Sequence, residues 1–111
     1  GLDKNEIVNT KVTKIVKKHP RAYYYSINEE LMISNDHPLY LVSNGTLSLV
    51  KVEELKIGDK LKSMNNTITI RSISIINESI MTVYMETELG NFVVKANENY
   101  YVVKSNYSKR Y

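Results

Sequence analysis

The sequence predicts an all-β fold, and three observations carry that expectation. Apolar residues recur with a period of two, turn-forming residues interrupt them every few positions, and no stretch keeps the 3.6-residue period of a long helix. The chain has 111 residues, enough for one domain with one core. Apolar residues make up 42% and charged residues 24%, the mix of a folded globular protein rather than a disordered one.

Residues 7–16 read as the first strand, with Val8, Val12 and Val16 alternating loosely with Lys and Thr. Residues 23–34 read as a hairpin, because the β-prone Tyr23-Tyr24-Tyr25-Ser26-Ile27 and Leu31-Met32-Ile33-Ser34 flank Asn28-Glu29-Glu30. His19-Pro20, before it, reads as a plain turn. Residues 39–42 and 47–52 lie on either side of Asn44-Gly45, the strongest short hairpin signal. Residues 53–59 suggest one helical turn ending at Gly58, which can adopt positive φ. Lys60-Leu61-Lys62 leaves it as a strand, and Asn65-Asn66 turns. Residues 67–76 form a long run of Ile, Thr and Ser, and residues 80–88 another, with Met81, Val83 and Met85 on one face. Leu89-Gly90-Asn91 turns into the strand Phe92-Val93-Val94, and Asn97-Glu98-Asn99 turns into a last strand over 100–104. That makes about nine or ten short strands. Residues 1–104 are expected to form a single β domain, and residues 105–111 a flexible polar and basic tail.

Composition removes several classes of function. The chain has no cysteine, so disulfides, thiolate zinc sites and cysteine nucleophiles are excluded within it. Its two histidines are far apart and its carboxylates scattered, which suggests no metal site. Four glycines are too few for a phosphate-cradling loop, so no cofactor and no small-molecule substrate are expected. The net charge of +3, with a pI near 9.0, sits partly at the ends, at Lys11, Lys14, Lys17, Lys18, Lys104, Lys109 and Arg110. Nucleic-acid binders concentrate more charge on one face, so a basic β-domain binding nucleic acid is the weaker alternative. No apolar run approaches the roughly 18 residues needed to cross a bilayer, and residues 1–6 do not resemble a signal peptide. No membrane partner is expected, and an intracellular setting is the default. The sequons at Asn44, Asn65, Asn77 and Asn106 are attributed to the Asn-rich composition.

The most informative stretch runs from Leu31 to Leu61. A strand leads into Ser34-Asn35-Asp36-His37-Pro38, followed by a strand, the Asn-Gly turn, a strand, and Glu53-Glu54-Leu55-Lys56-Ile57-Gly58-Asp59-Lys60-Leu61. This layout resembles the central region of the hedgehog/intein (Hint) self-processing family, where a Thr-x-x-His-Pro segment precedes a hairpin and a Leu…Gly-Asp turn. Val83-Tyr84, followed by Gly90-Asn91-Phe92-Val93-Val94, is similar to that family's closing segment. Together the matches cover most of residues 31–104. The resemblance implies the flattened Hint horseshoe, without its first strand or receiving it from another segment.

It also implies a chemistry. The family begins with an N-to-S or N-to-O acyl shift at the domain's first residue, and the ester then passes to a second nucleophile. By motif position, His37 corresponds to the histidine that contacts the scissile peptide, and Ser34 to the threonine that positions it. A histidine suits proton transfer because its pKa lies near working pH, and a serine hydroxyl keeps the threonine's hydrogen bond. Three departures stand beside this. No Cys, Ser or Thr opens the chain, and the family's early Gly-Asp turn is lacking. The penultimate His and terminal Asn should fall near Lys104 and Ser105, and Asn106 comes one place later, before Tyr107.

The implied function is an intein-like module, either the larger piece of a split one or a degenerate one, inactive as this chain alone. Its implied partner is an N-terminal Hint segment or flanking host sequence. The alternative is a structural or interaction domain inserted in a larger assembly, since exposed sheet edges accept strands from partners. The ordinary readings are simpler: His37 a turn histidine, Asp59 a brace within its own turn, Glu53 and Glu54 a solvated face. The tyrosines of 23–25 and 100–101 divide between core and surface, because strand alternation sends neighbours to opposite faces.

Overall fold

The computed structural model describes residues 5–8, 12–105 and 107–108, with backbone alone at 12–18, 83–84 and 107–108. It is all-β, as its periodicity predicts, and its main sheet is a curled antiparallel half-barrel. Thirteen strands fall among the described residues: β1 (Asn5–Val8), β2 (Val12–Arg21), β3 (Tyr24–Ile27), β4 (Leu31–Ile33), β5 (Leu39–Ser43), β6 (Thr46–Val50), β7 (Lys60–Lys62), β8 (Thr67–Thr69), β9 (Ile73–Ile76), β10 (Ile80–Thr87), β11 (Asn91–Ala96), β12 (Asn99–Lys104) and β13 (Tyr107–Ser108). A single 3-10 turn, Val52–Glu54, lies between β6 and β7.

The largest sheet runs β1-β11-β12-β5-β7-β8 and forks at β5. Leu39 on β5 pairs with Val103 of β12, whereas Leu41 pairs with Leu61 of β7. β6 covers the other side of β5 from Leu39 to Ser43. Two smaller sheets, β4-β3-β9 and β13-β10-β2, complete the fold. Ile27, Leu31, Leu39, Leu61, Ile70 and Val103 carry the core, each at most 1% exposed. The Cα radius of gyration is 13.3 Å, which matches the roughly 13 Å of a compact domain of this length.

Local chemistry explains the hairpins. Asn44 and Gly45 have φ of 51° and 75°, both in the left-handed region that a two-residue β-turn of this twist requires. Asn28, also left-handed at φ 55°, opens the β3–β4 turn, and Asn97 at φ 54° the β11–β12 turn. Asp59 braces its own turn, its carboxylate accepting the Lys56 N–H at 2.9 Å while its N–H donates to the Lys56 carbonyl.

Several expectations change. The run over 7–16 is two strands, β1 and β2, in different sheets. The run over 67–76 breaks at residues 70–72. Ile70 still pairs with Gly58 and Asp59, but the N–H groups of Arg71 and Ser72 both turn to Asn28 Oδ1, at 2.6 and 3.2 Å. That side chain carries the strand from the large sheet to β3. His19-Pro20 is not a turn. β2 runs through both, opposite Thr82 and Met81, and a proline is admissible because β2 is an edge strand.

Met81 and Met85 do not share a face: Met81 is 55% exposed and Met85 is 4% exposed. The β2–β10 register shifts between Tyr84 and Met85, and such a bulge re-aims the side chains beyond it. Tyr24 and Tyr25 are both buried, because β3 is the central strand of its sheet and is covered on both faces. Ser105, placed by its polarity in the tail, is 2% exposed and donates its N–H to Gly90, and Tyr107–Ser108 pair in parallel with Glu86–Thr87. Gly1, Asn106, Lys109 and Arg110 lie outside the described residues.

Candidate functional site

β4 delivers Ser34, and the chain reverses over Ser34-Asn35-Asp36-His37, with the His37 N–H donating to the Ser34 carbonyl at 3.4 Å. Pro38 then favours an extended His37, which aims the chain into β5. The result is a polar turn whose two candidate side chains point inward. Ser34 is 4% exposed and His37 7%. Phe92 of β11 meets the imidazole edge-on, with ring centroids 5.7 Å apart and planes at 90°.

Ser34 and His37 are joined through Thr82, a residue that sequence reasoning missed. Its Oγ1 lies 2.9 Å from Ser34 Oγ and 3.1 Å from His37 Nε2. Thr82 occupies an inward position of β10, in a run otherwise rich in Ile, Met and Val, and is buried. A hydroxyl flanked by apolar residues and facing a core is the available signal. Placing Met81, Val83 and Met85 together on one face hides it, because Thr82 then falls on the opposite one.

A second pair closes the cluster. Arg21, at the end of β2, grips Asp36 with both arms of its guanidinium, Nε to Oδ2 at 2.6 Å and Nη2 to Oδ1 at 2.9 Å. Ser34 Oγ donates to the same Oδ2 at 3.3 Å. The side chains from β4, the turn and β10 thus continue to β2 as one chain of contacts: Arg21, Asp36, Ser34, Thr82, His37. Such fork-on-carboxylate pairing fixes orientation as well as charge. His19 pairs with Thr82 across β2–β10, so directly opposite residues place it on the same face of that sheet.

Beside this network lies a cleft of about 260 Å³, lined by Ser34, His37 and Thr82 on its polar side and by Leu31, Met85 and Phe92 on its apolar side. Ile7 and Met81 also line it, and they are 45% and 55% exposed. β1 forms one flank, held to β4 by Asn5, whose amide donates to the Glu30 carbonyl at 2.9 Å and accepts the Met32 N–H at 3.0 Å. Among the described residues no group of three His, Cys, Asp or Glu is placed to hold a metal ion, and no helix is long and apolar enough to cross a membrane.

At the other end of the sequence motif, Lys104 and Ser105 stand where the resemblance called for His and Asn. The Lys104 N–H donates to Pro38, and Ser105 Oγ accepts from Thr87 Oγ1 at 3.3 Å within the interior. Neither side chain can cyclise onto a peptide bond as an asparagine amide does. No protein-family model and no curated protein matches this sequence.

Proposed function

We propose that this chain is a Hint-like self-processing module that retains the machinery of the first step, an acyl shift at an upstream peptide bond, and has lost that of the last. The observation that carries the reading is the buried Ser34–Thr82–His37 contact at the wall of a cleft of about 260 Å³. In the step, the hydroxyl or thiol of an upstream Cys, Ser or Thr attacks the preceding carbonyl. The attacking group passes its proton to the His37 imidazole, the C–N bond breaks, the imidazole delivers that proton to the leaving amine, and an ester or thioester remains. The nucleophile comes from a segment N-terminal to Gly1, on the same polypeptide or a second one. Ser34 positions the peptide and His37 transfers the proton.

Intact mass and N-terminal sequencing of the natural gene product test this first. A product accompanied by a separate segment beginning with Cys, Ser or Thr supports the reading. One uncut polypeptide running through Gly1 into unrelated sequence overturns it. With the segment supplied, His37→Ala abolishes cleavage while association persists.

A second reading, a structural or interaction domain, is favoured by β6. Among the described residues it pairs only with β5, and Leu47 and Leu49 are each 50% exposed along it. An apolar edge of this kind accepts a partner strand. Association with another chain that is unchanged in His37→Ala, and accompanied by no cleavage, supports this reading.

A further inference from the structure

The five-residue chain of contacts has a direction, and the direction decides which nitrogen of His37 is basic. Asp36 is gripped by Arg21 through both oxygens and, as a carboxylate, can only accept. Ser34 donates its single hydroxyl hydrogen to Asp36 Oδ2. It therefore has none left for Thr82, and across the 2.9 Å between the two hydroxyls Thr82 must be the donor. Thr82 has then spent its own hydrogen. Across the 3.1 Å to His37 its oxygen can only accept, so Nε2 must carry the ring proton.

We propose that the Arg21–Asp36 ion pair, acting through Ser34 and Thr82, holds His37 as the Nε2–H tautomer, with Nδ1 as its basic nitrogen. Arg21, Asp36 and Thr82 are positioning residues in this arrangement. A carboxylate that orders a histidine tautomer is a known device, and in serine proteases the carboxamide replacement orients the imidazole wrongly. Here the carboxylate acts at two hydroxyls' remove. That Nδ1 is the atom meeting a scissile peptide rests on the self-processing reading above; the tautomer itself does not.

The arrangement makes an unusual prediction for Asp36→Asn. With its carbonyl oxygen at the Oδ1 position held by Arg21 Nη2, the new carboxamide sets its NH2 group where Oδ2 stood, gives up the Arg21 Nε contact there, and can donate to Ser34 Oγ. Ser34 then donates to Thr82, Thr82 donates to His37 Nε2, and the ring proton moves to Nδ1. One isosteric change reverses the three links from residue 36 through Ser34 and Thr82 to His37, while Arg21 remains a donor.

The test is two-bond 15N–1H correlation on protein carrying 15N-labelled histidine, at a pH where the imidazole is neutral. Only two histidines are present, so His19→Gln assigns the His37 signals. The expected result is a protonated Nε2 and a pyridine-like Nδ1 in the wild type, and the opposite pattern in Asp36→Asn. Thr82→Val, which cannot relay, gives averaged signals from both tautomers. A wild-type Nδ1–H, or an unchanged single tautomer in Thr82→Val, overturns the proposal, so it stays testable even if Asp36→Asn does not fold. An Nε2–H signal with no cleavage of a supplied upstream junction would remove the self-processing reading and leave the relay standing. Cleavage with a wild-type Nδ1–H would do the reverse.

Discussion

The Tyr101 hydroxyl donates to Glu30 Oε2 across 2.5 Å, joining β12 to the β3–β4 turn, 71 residues away in the chain. Asn99 and Asn97 donate to the same carboxylate, at 2.7 and 3.3 Å. Glu30 therefore ties the β3–β4 turn to the β11–β12 hairpin, and Tyr101, at 0% exposure, is the largest fully buried side chain of the core.

This contact sets a pH dependence. Burial, then the hydrogen bond to Glu30, raises the Tyr101 pKa well above its ordinary value of 10.0. Below pH 10.0 both folded and unfolded chains keep the phenolic proton, and the stabilisation is fully present. As pH rises past that value the unfolded chain releases a proton that the native state retains, so stability falls. Urea unfolding across the alkaline range is expected to show this decline. Tyr101→Phe is expected to flatten it, while losing about 1–3 kcal/mol near neutrality because Glu30 loses a donor.

Thr82→Val removes a hydroxyl shared by two buried polar groups without changing shape. Ser34 Oγ and His37 Nε2 each lose that partner, and a loss of about 1–3 kcal/mol is expected from the desolvation they retain. Thr82→Ser keeps the hydroxyl and is expected to lose under about 1 kcal/mol, within the span of strand propensities. Equal losses in the two variants, measured by urea unfolding, would show that the hydroxyl contributes nothing.

Arg21→Lys keeps the charge and abolishes the two-armed grip on Asp36. The pair is partly buried, with side chains 31% and 16% exposed. Its loss should fall between the roughly 1 kcal/mol of an exposed pair and the roughly 3 kcal/mol of a buried one. Lysine should restore only part of what Arg21→Ala loses, because an ammonium is a point donor rather than a planar fork. Full rescue by lysine in a thermal-melt comparison would argue that charge alone matters.

Asn28 combines a left-handed backbone with three side-chain hydrogen bonds, to Thr69, Arg71 and Ser72. Asn28→Gly should recover the backbone freedom yet still lose those bonds, whereas Asn28→Ala loses both. The expected order of stability is Asn, then Gly, then Ala, with the last step about 1 kcal/mol. Hydrogen exchange at Arg71 and Ser72 should accelerate in both variants, and unchanged protection there would contradict the role assigned to this side chain.

The hairpins were legible because a turn is local. Asn44-Gly45 and Asn97 carry their conformation in their own side chains or lack of one, and the flanking alternation needs no partner to be read. The polar segment bearing Ser34 and His37 was legible as the break between two strands. Three features were not: the break at residues 70–72, the passage of β2 through His19 and Pro20, and the opposed faces of Met81 and Met85. Each depends on a residue distant in sequence, namely Asn28 for the first, the β10 partner for the second and the register shift against β2 for the third.

The same division holds for the molecule at large. The sequence by itself determined the all-β class, the positions of the tight turns and the polar turn bearing Ser34 and His37. These follow from side-chain period and backbone φ, which act over a few residues. Only the tertiary structure decided that Thr82 would bridge that turn, that Arg21 would grip Asp36, and that Glu30 would meet Tyr101. A hydrogen-bonding side chain carries no address for its partner: the pairing exists only once packed strands exclude water and bring buried donors and acceptors within reach of one another.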